Sequence, residues 1–197
     1  GIVSTGSKEA TDSAIDILEA GGNAFDAAVA AVFTSMISEF ALTGVGGGGA
    51  MMISKEGTKP IIYDFFVDTP PYKNKELDFF DVQVDFGESK QTFYIGKGSV
   101  AVPGTLLGLV TIQEQYGILP LSTVLEPAIN IAEIGSVLNS KQAYIFKLLE
   151  PIFSYTNLGE ELFYKDGKIL TSGDRFKNVD FARFLEQVSN EGAFSFY

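Results

Sequence analysis

The chain has 197 residues, 46% of them hydrophobic and 20% charged, which is long and apolar enough for one sizeable core. Its formal net charge of −11 argues against nucleic acid or an anionic membrane surface as a partner. With no cysteine and no histidine, it offers no disulfide, no thiol chemistry, no histidine metal site and no Ser-His-Asp triad of its own.

Gly1 to Thr5 reads as a short strand. Ser7 is placed to cap a helix carrying Ala10, Ala14, Ile17 and Leu18 on one stripe, and Gly21-Gly22 ends it. A second helix is predicted from Asn23 to about Ser38. Its string "AFDAAVAAVFTSMIS" is apolar almost all round, the pattern of a helix buried on most sides. "AMMIS" and "KPIIYDFFV", joined by a Glu56-Gly57 turn, predict a hairpin of buried apolar strands. In "YKNKELDFFDVQVDFGESK", Phe80, Val82, Val84 and Phe86 alternate with Asp81, Gln83 and Asp85, as in a half-buried strand. "QTFYIGKGSVAV" continues the strand character.

The remainder reads as mostly helical. "GTLLGLVTIQEQYG" stops at Gly117. "LSTVLEPAINIAEIG" stops at Gly135 and holds a proline that kinks it or restarts it at Glu126. "SKQAYIFKLLEPIF" follows, then an Asp-Gly turn in "FYKDGKIL" and a helix in "NVDFARFLEQVSNEG" with Phe181, Phe184 and Val188 on one side. No apolar run approaches the ~18 residues of a membrane span. A first residue other than methionine is compatible with a removed leader, so cytoplasmic and periplasmic or extracellular locations both stay open.

The stretch "TGVGGGGAMMIS" formally satisfies G-x-G-x-x-G through Gly44, Gly46 and Gly49. A dinucleotide fingerprint lies between a strand and a helix; here a helix precedes and a strand follows. A Walker loop needs Lys-Ser or Lys-Thr where Ala50-Met51 stand. The expectation is therefore close approach of other backbone, and no cofactor. Asp64 reads as a strand-end carboxylate bonding nearby amides. A strand would hold Asp64 and Asp68 about 13 Å apart. Asp78, Asp81 and Asp85 lack the spacing of a calcium loop, so no metal site is expected.

The run "EAGGNAFDAAVAAVFTSMISEFALTGVGGGGAMMI" resembles the N-terminal region of the gamma-glutamyltransferase family. The resemblance continues, collinearly, in "SVAVPGTLLGL", "YGILPLSTVLEPAINIAEIG" and "NVDFARFLEQVSNEGAFSFY". It implies an α+β fold of the N-terminal-nucleophile hydrolase type, with antiparallel sheets between helical layers (αββα). It implies that residues 1–197 are the first part of a large subunit, one segment of a single domain that is incomplete without further chain. The nucleophilic Thr, with its own α-amine as base, belongs to a small subunit elsewhere, so no catalytic residue is expected in this chain. The glycine loop is expected under the floor of the site.

The family commonly reads Asp-x-Arg-x-x-x-Pro after the second core strand, its Arg gripping a substrate α-carboxylate. Here Phe66 stands at the Arg position, between Asp64 and Pro70. A charged hydrogen bond of that clamp is worth ~1.5–3 kcal/mol, and phenylalanine supplies none. The expected function is that of an amidohydrolase or acyltransferase acting on γ-glutamyl or related small-molecule amides, tolerant of substrates without that charge. The alternative is a catalytically inactive relative that binds.

Overall fold

Ser7 accepts from the Ala10 N–H at 3.2 Å and so opens α1 (Lys8–Glu19). The helix stops where Gly21 takes φ +93°, a conformation open to a residue without Cβ. Helix α2 (Ala24–Ser38) begins with a reciprocal cap: Asn23 Oδ1 accepts from the Phe25 and Asp26 amides, and Asp26 Oδ2 accepts from the Asn23 amide. The computed structural model describes residues 1–72 and 78–197. Lys73 to Leu77, within the charged stretch before Phe80, lie outside the described residues.

The strands are β1 (Ala50–Ile53), β2 (Ile61–Asp64), β3 (Phe80–Asp85) and β4 (Lys90–Ile95). Helices α3 (Thr105–Tyr116) and α4 (Leu121–Ile134) follow, then β5 (Ser136–Val137), α5 (Ser140–Leu148), α6 (Glu150–Phe153) and α7 (Asn157–Phe163). The chain closes with β6 (Tyr164–Lys165), β7 (Lys168–Ile169), β8 (Arg175–Phe176), α8 (Val179–Glu191) and a short 3-10 turn at Ala193–Phe196. Among the described residues the strands pair antiparallel as β1–β2, β3–β4, β5–β8 and β6–β7. Helices packed on helices beside antiparallel strands make this an α+β chain.

Helix α2 is the hub. It packs on α1, α3 and α4, and α4 packs on α8. Val29, Ala30, Phe33 and Met36 of α2 are sealed against Leu106, Leu109, Val124, Leu125 and Leu185. Alanines at 27, 30 and 31 let the helices approach closely. Polar contact between α1 and α2 is also buried: the Thr34 hydroxyl donates to Ser13 Oγ at 2.9 Å. A second core is built of phenylalanine, with Phe40, Phe146, Phe153, Phe163 and Phe176 at ring-centroid separations between 4.2 and 6.3 Å. Aromatic pairs at such separations add to the area term.

Three expectations need correction. Among the described residues, 1–5 join no ladder, Ile2 is fully exposed, and of these five Val3 packs on the core. An extended segment this short needs a partner strand to satisfy its amides. The β1–β2 hairpin is present, but it is not buried on both faces. Ile53 is sealed and Met51 half-buried, while the cross-strand pair Met52–Ile62 stands 70% and 68% exposed. The helices cover one face only. Helix α4 does not restart at Glu126: it runs unbroken from residue 121 to 134 with Pro127 inside it. The segment "SKQAYIFKLLEPIF" forms two helices, divided at Leu149 before Pro151. In α8 the sealed residues are Ala182, Leu185 and Val188; Phe181 and Phe184 sit half-buried beside them.

Candidate functional site

After α2 the chain crosses the glycine loop into β1. The Gly47 carbonyl accepts from the Gly104 and Thr105 amides, both at 3.2 Å. Those amides open α3, where a phosphate would otherwise be drawn. The loop's own carbonyl occupies that position. Gly44 and Gly46, two members of the formal fingerprint, have nothing within 4 Å of an added Cβ. Gly48 is different. A Cβ there would lie 2.5 Å from the Val67 nitrogen and 2.8 Å from both Phe66 Cα and its carbonyl carbon. The loop is thus a bed for the backbone of residues 65–67.

That segment is clasped from both sides. Phe65 exchanges hydrogen bonds with Gly49 at 2.9 and 3.3 Å, prolonging the β1–β2 ladder. Asp68 exchanges two with Val102, at 3.0 and 2.8 Å. The Phe65 ring points inward, joins the first core, and fills the space that a Cβ at Gly108 of α3 would need. Alternation then turns Phe66 outward. The residue is 71% exposed and lines a cavity of about 430 Å³.

The walls of that cavity are Phe65, Val102, Pro103, Leu107 and Tyr197, with Asp64 and Asp68 also lining it. Asp64 Oδ1 accepts from the Phe66 amide at 3.0 Å, as expected of a strand-end carboxylate. Asp68 Oδ1 accepts from the Thr69 amide at 2.7 Å. Asp64 ends β2 and Asp68 bridges to Val102, and both border one cavity. No Lys or Arg among the described residues lines it. The Tyr197 hydroxyl donates to the Pro103 carbonyl at 2.6 Å and fixes the far wall. Tyr63, also at the cavity, donates to Gln115 Oε1 at 2.5 Å and meets the Tyr116 hydroxyl at 2.8 Å. The bond to Tyr116, then loss of water, raises the Tyr63 phenol above its ordinary value, so it stays neutral at neutral pH.

The other end of α3 is held by a group that the sequence reading did not single out. Asp26 is fully buried. Beyond its capping bond to Asn23 at 3.0 Å, it accepts from the Ile118 amide at 3.0 Å and from Gln113 Nε2 at 3.1 Å. It thereby ties the start of α2 to the turn after α3. The signal was the Asn23–Asp26 spacing of a capping box. The side-chain donor to Asp26, Gln113, is remote in sequence.

Asp81 and Asp85 lie on the exposed β3–β4 hairpin, where Asp85 accepts from the Gly87 amide at 2.8 Å and pairs with Lys90 at 3.4 Å. The Gly87 bond first, and Lys90 after it, hold that carboxyl below its ordinary value. Among the described residues no group of three or more His, Cys, Asp or Glu could hold a metal ion, and no helix is long and apolar enough to cross a membrane. A second cavity, of about 480 Å³, lies between the start of α1, the end of α2 and α5, away from Phe66.

Known proteins are similar to this chain in sequence and fold. A family model described as gamma-glutamyltranspeptidase matches residues 10–197. The glutathione hydrolase proenzyme of Escherichia coli K12 is 30% identical over 200 residues, covering 100% of this chain and 34% of that protein. The capsule biosynthesis protein CapD proenzyme of Bacillus anthracis is 29% identical over 188 residues, covering 95% of this chain and 31% of its own length. The crystal structure of Helicobacter pylori gamma-glutamyltranspeptidase superposes with a TM-score of 0.84 at 30% identity, covering 100% of this chain and 56% of that one. The chain spans about a third of the length of the curated relatives it matches.

Proposed function

The chain belongs to the gamma-glutamyltranspeptidase family, and from that premise we propose that it forms the N-terminal part of the large subunit of an amidohydrolase or acyltransferase acting on γ-glutamyl or related amides. Its fold is that of the N-terminal-nucleophile hydrolases. The nucleophile is a Thr outside residues 1–197, at the processed start of a small subunit. Its hydroxyl oxygen attacks the amide carbonyl while its proton passes to the Thr α-amine. Collapse of the tetrahedral intermediate breaks the C–N bond, and the leaving amine takes that proton. Water then hydrolyses the ester, or a second amine captures the acyl group.

Residues 1–197 contribute the floor and one wall. The observation that carries this reading is the seating of residues 64–68 on the glycine loop, in the segment collinear with the family's carboxylate-binding motif. Phe66 occupies its Arg position and faces the cavity. The same substitution favours one rival: a relative that keeps the fold, binds, and has lost the chemistry. The two readings separate in one experiment on the complete protein. Hydrolysis of a chromogenic amide that disappears when the small subunit's first Thr is changed to Ala supports the enzyme. A complete protein with no such Thr and no turnover supports the binding relative.

A further inference from the structure

We propose that the cavity beside Phe66 is an acyl pocket that selects uncharged, apolar acyl groups, aromatic or branched aliphatic, in place of one bearing an α-carboxylate. The inference rests on the amidohydrolase reading and names the substrate class of that site. Its first support is Phe66 itself. Phe66 is 71% exposed although Phe65 and Asp68 on either side of it are fixed by four backbone hydrogen bonds, so it offers an apolar surface on a rigid mount. The opposite walls, Val102, Pro103 and Leu107, are apolar too. Closing such a surface over an apolar acyl group removes both from water. The cavity, of about 430 Å³, falls within the range of small-molecule sites.

The charges at the cavity give the second support. Asp64 and Asp68 both line it. Each holds its nearest amide through one oxygen, which anchors the carboxylates where they are. An incoming carboxylate would meet two like charges and a phenyl ring, losing water with no cationic partner among the described residues that line the cavity. A phenyl or isobutyl group meets no such penalty. The pocket thus discriminates by rejection as well as by fit.

The test uses the complete, processed protein and three matched p-nitroanilides: phenylacetyl, 4-aminobutyryl and γ-glutamyl. The expected order of kcat/KM places phenylacetyl first, ahead of γ-glutamyl by about tenfold or more, the scale on which an apolar pocket discriminates. Phe66→Arg and Val102→Lys each narrow that ratio by a similar factor; both side chains point away from the core, so folding is preserved. A wild-type preference for the γ-glutamyl or the aminobutyryl anilide overturns the proposal, as does a ratio unmoved by either variant. A binding measurement keeps the inference separate from the chemistry. Phenylacetamide is expected to show saturation-transfer NMR contacts to the protein that Phe66→Ala and Val102→Lys weaken. If no anilide turns over yet those contacts appear, the amidohydrolase reading fails and the pocket stands. If turnover occurs but the contacts are absent or indifferent to both variants, the pocket fails alone.

Discussion

Replacing Gly48 by alanine tests whether the glycine loop is a bed for backbone. The new Cβ would lie 2.5 Å from the Val67 nitrogen and 2.8 Å from Phe66 Cα and C. Carbon contacts are comfortable at ~3.5–4.0 Å, so the two segments must part by about 1 Å. Nothing at the contact can swing aside, because both partners are main chain and residues 65 and 68 are clasped by hydrogen bonds to Gly49 and Val102. Overpacking of this kind costs ~1–3 kcal/mol. At about 2–4 °C per kcal/mol for a domain of this size, Tm should fall by about 2–12 °C. A displacement of about 1 Å at Phe66 should also lower kcat/KM by up to ~10²-fold. Gly44→Ala and Gly46→Ala are the controls. Neither glycine has a positive φ or any atom within 4 Å of an added Cβ. Each should change stability by less than about 0.5 kcal/mol. Thermal unfolding of the three variants, with amide turnover alongside, gives the answer. Equal effects at all three positions, or a larger effect at Gly44, would refute the close-packing account.

Asp26→Ala removes the acceptor of two backbone amides and of Gln113 in a fully buried place, and should cost about 3 kcal/mol or more in urea unfolding; a loss under about 1 kcal/mol would contradict its role. At Asp174 the Thr171 amide and then its hydroxyl hold the carboxyl below the ordinary 3.8, with Lys165 adding to them. A depressed folded value means stability that is present above 3.8 and lost as pH falls through the lower value. The Tm difference between wild type and Asp174→Ala should therefore be steady from neutral pH to about pH 4 and shrink in stronger acid; a difference that widens on acidification would reverse the assignment. Residues 1–197 alone should hydrolyse no γ-glutamyl p-nitroanilide, as measured on the purified chain at 405 nm (about the absorption of the released nitroaniline); clear turnover would place a nucleophile in this chain.

Local chemistry was legible wherever one segment carried its own signal. The Ser7 cap, the Gly21 stop, the Asn23 start of α2 and the Asp166-Gly167 turn, with φ of +51° and +73°, are all set by residues adjacent in sequence. The order helix, glycine loop, hairpin followed from the same signals. What escaped depends on partners remote in the chain. Whether Gly1–Thr5 pairs as a strand, or whether Met52 and Ile62 are covered, is decided by other elements and not by their own apolarity. The β5–β8 ladder, two residues on each strand, is too short for any periodicity to reveal. Phe66 was singled out by the resemblance to the family motif, whereas Phe65, whose ring joins the core, carried no signal of its own. Its ring fits because Gly49, Gly104 and Gly108 leave room for it and its carbonyl, and three separated glycines announce nothing until the chain is folded. Asp64 and Asp68 share a cavity with Val102, Pro103 and Leu107, partners too remote in the chain for local spacing to reveal.

The most direct test of the account is an intact-mass measurement on the complete protein, quenched during turnover of a p-nitroanilide. Two polypeptides are expected, the smaller beginning with Thr and carrying the mass of the acyl group on that residue, with residues 1–197 unmodified in the larger. A single uncleaved polypeptide that binds the amide and carries no acyl group, or an acyl group found within residues 1–197, would contradict it.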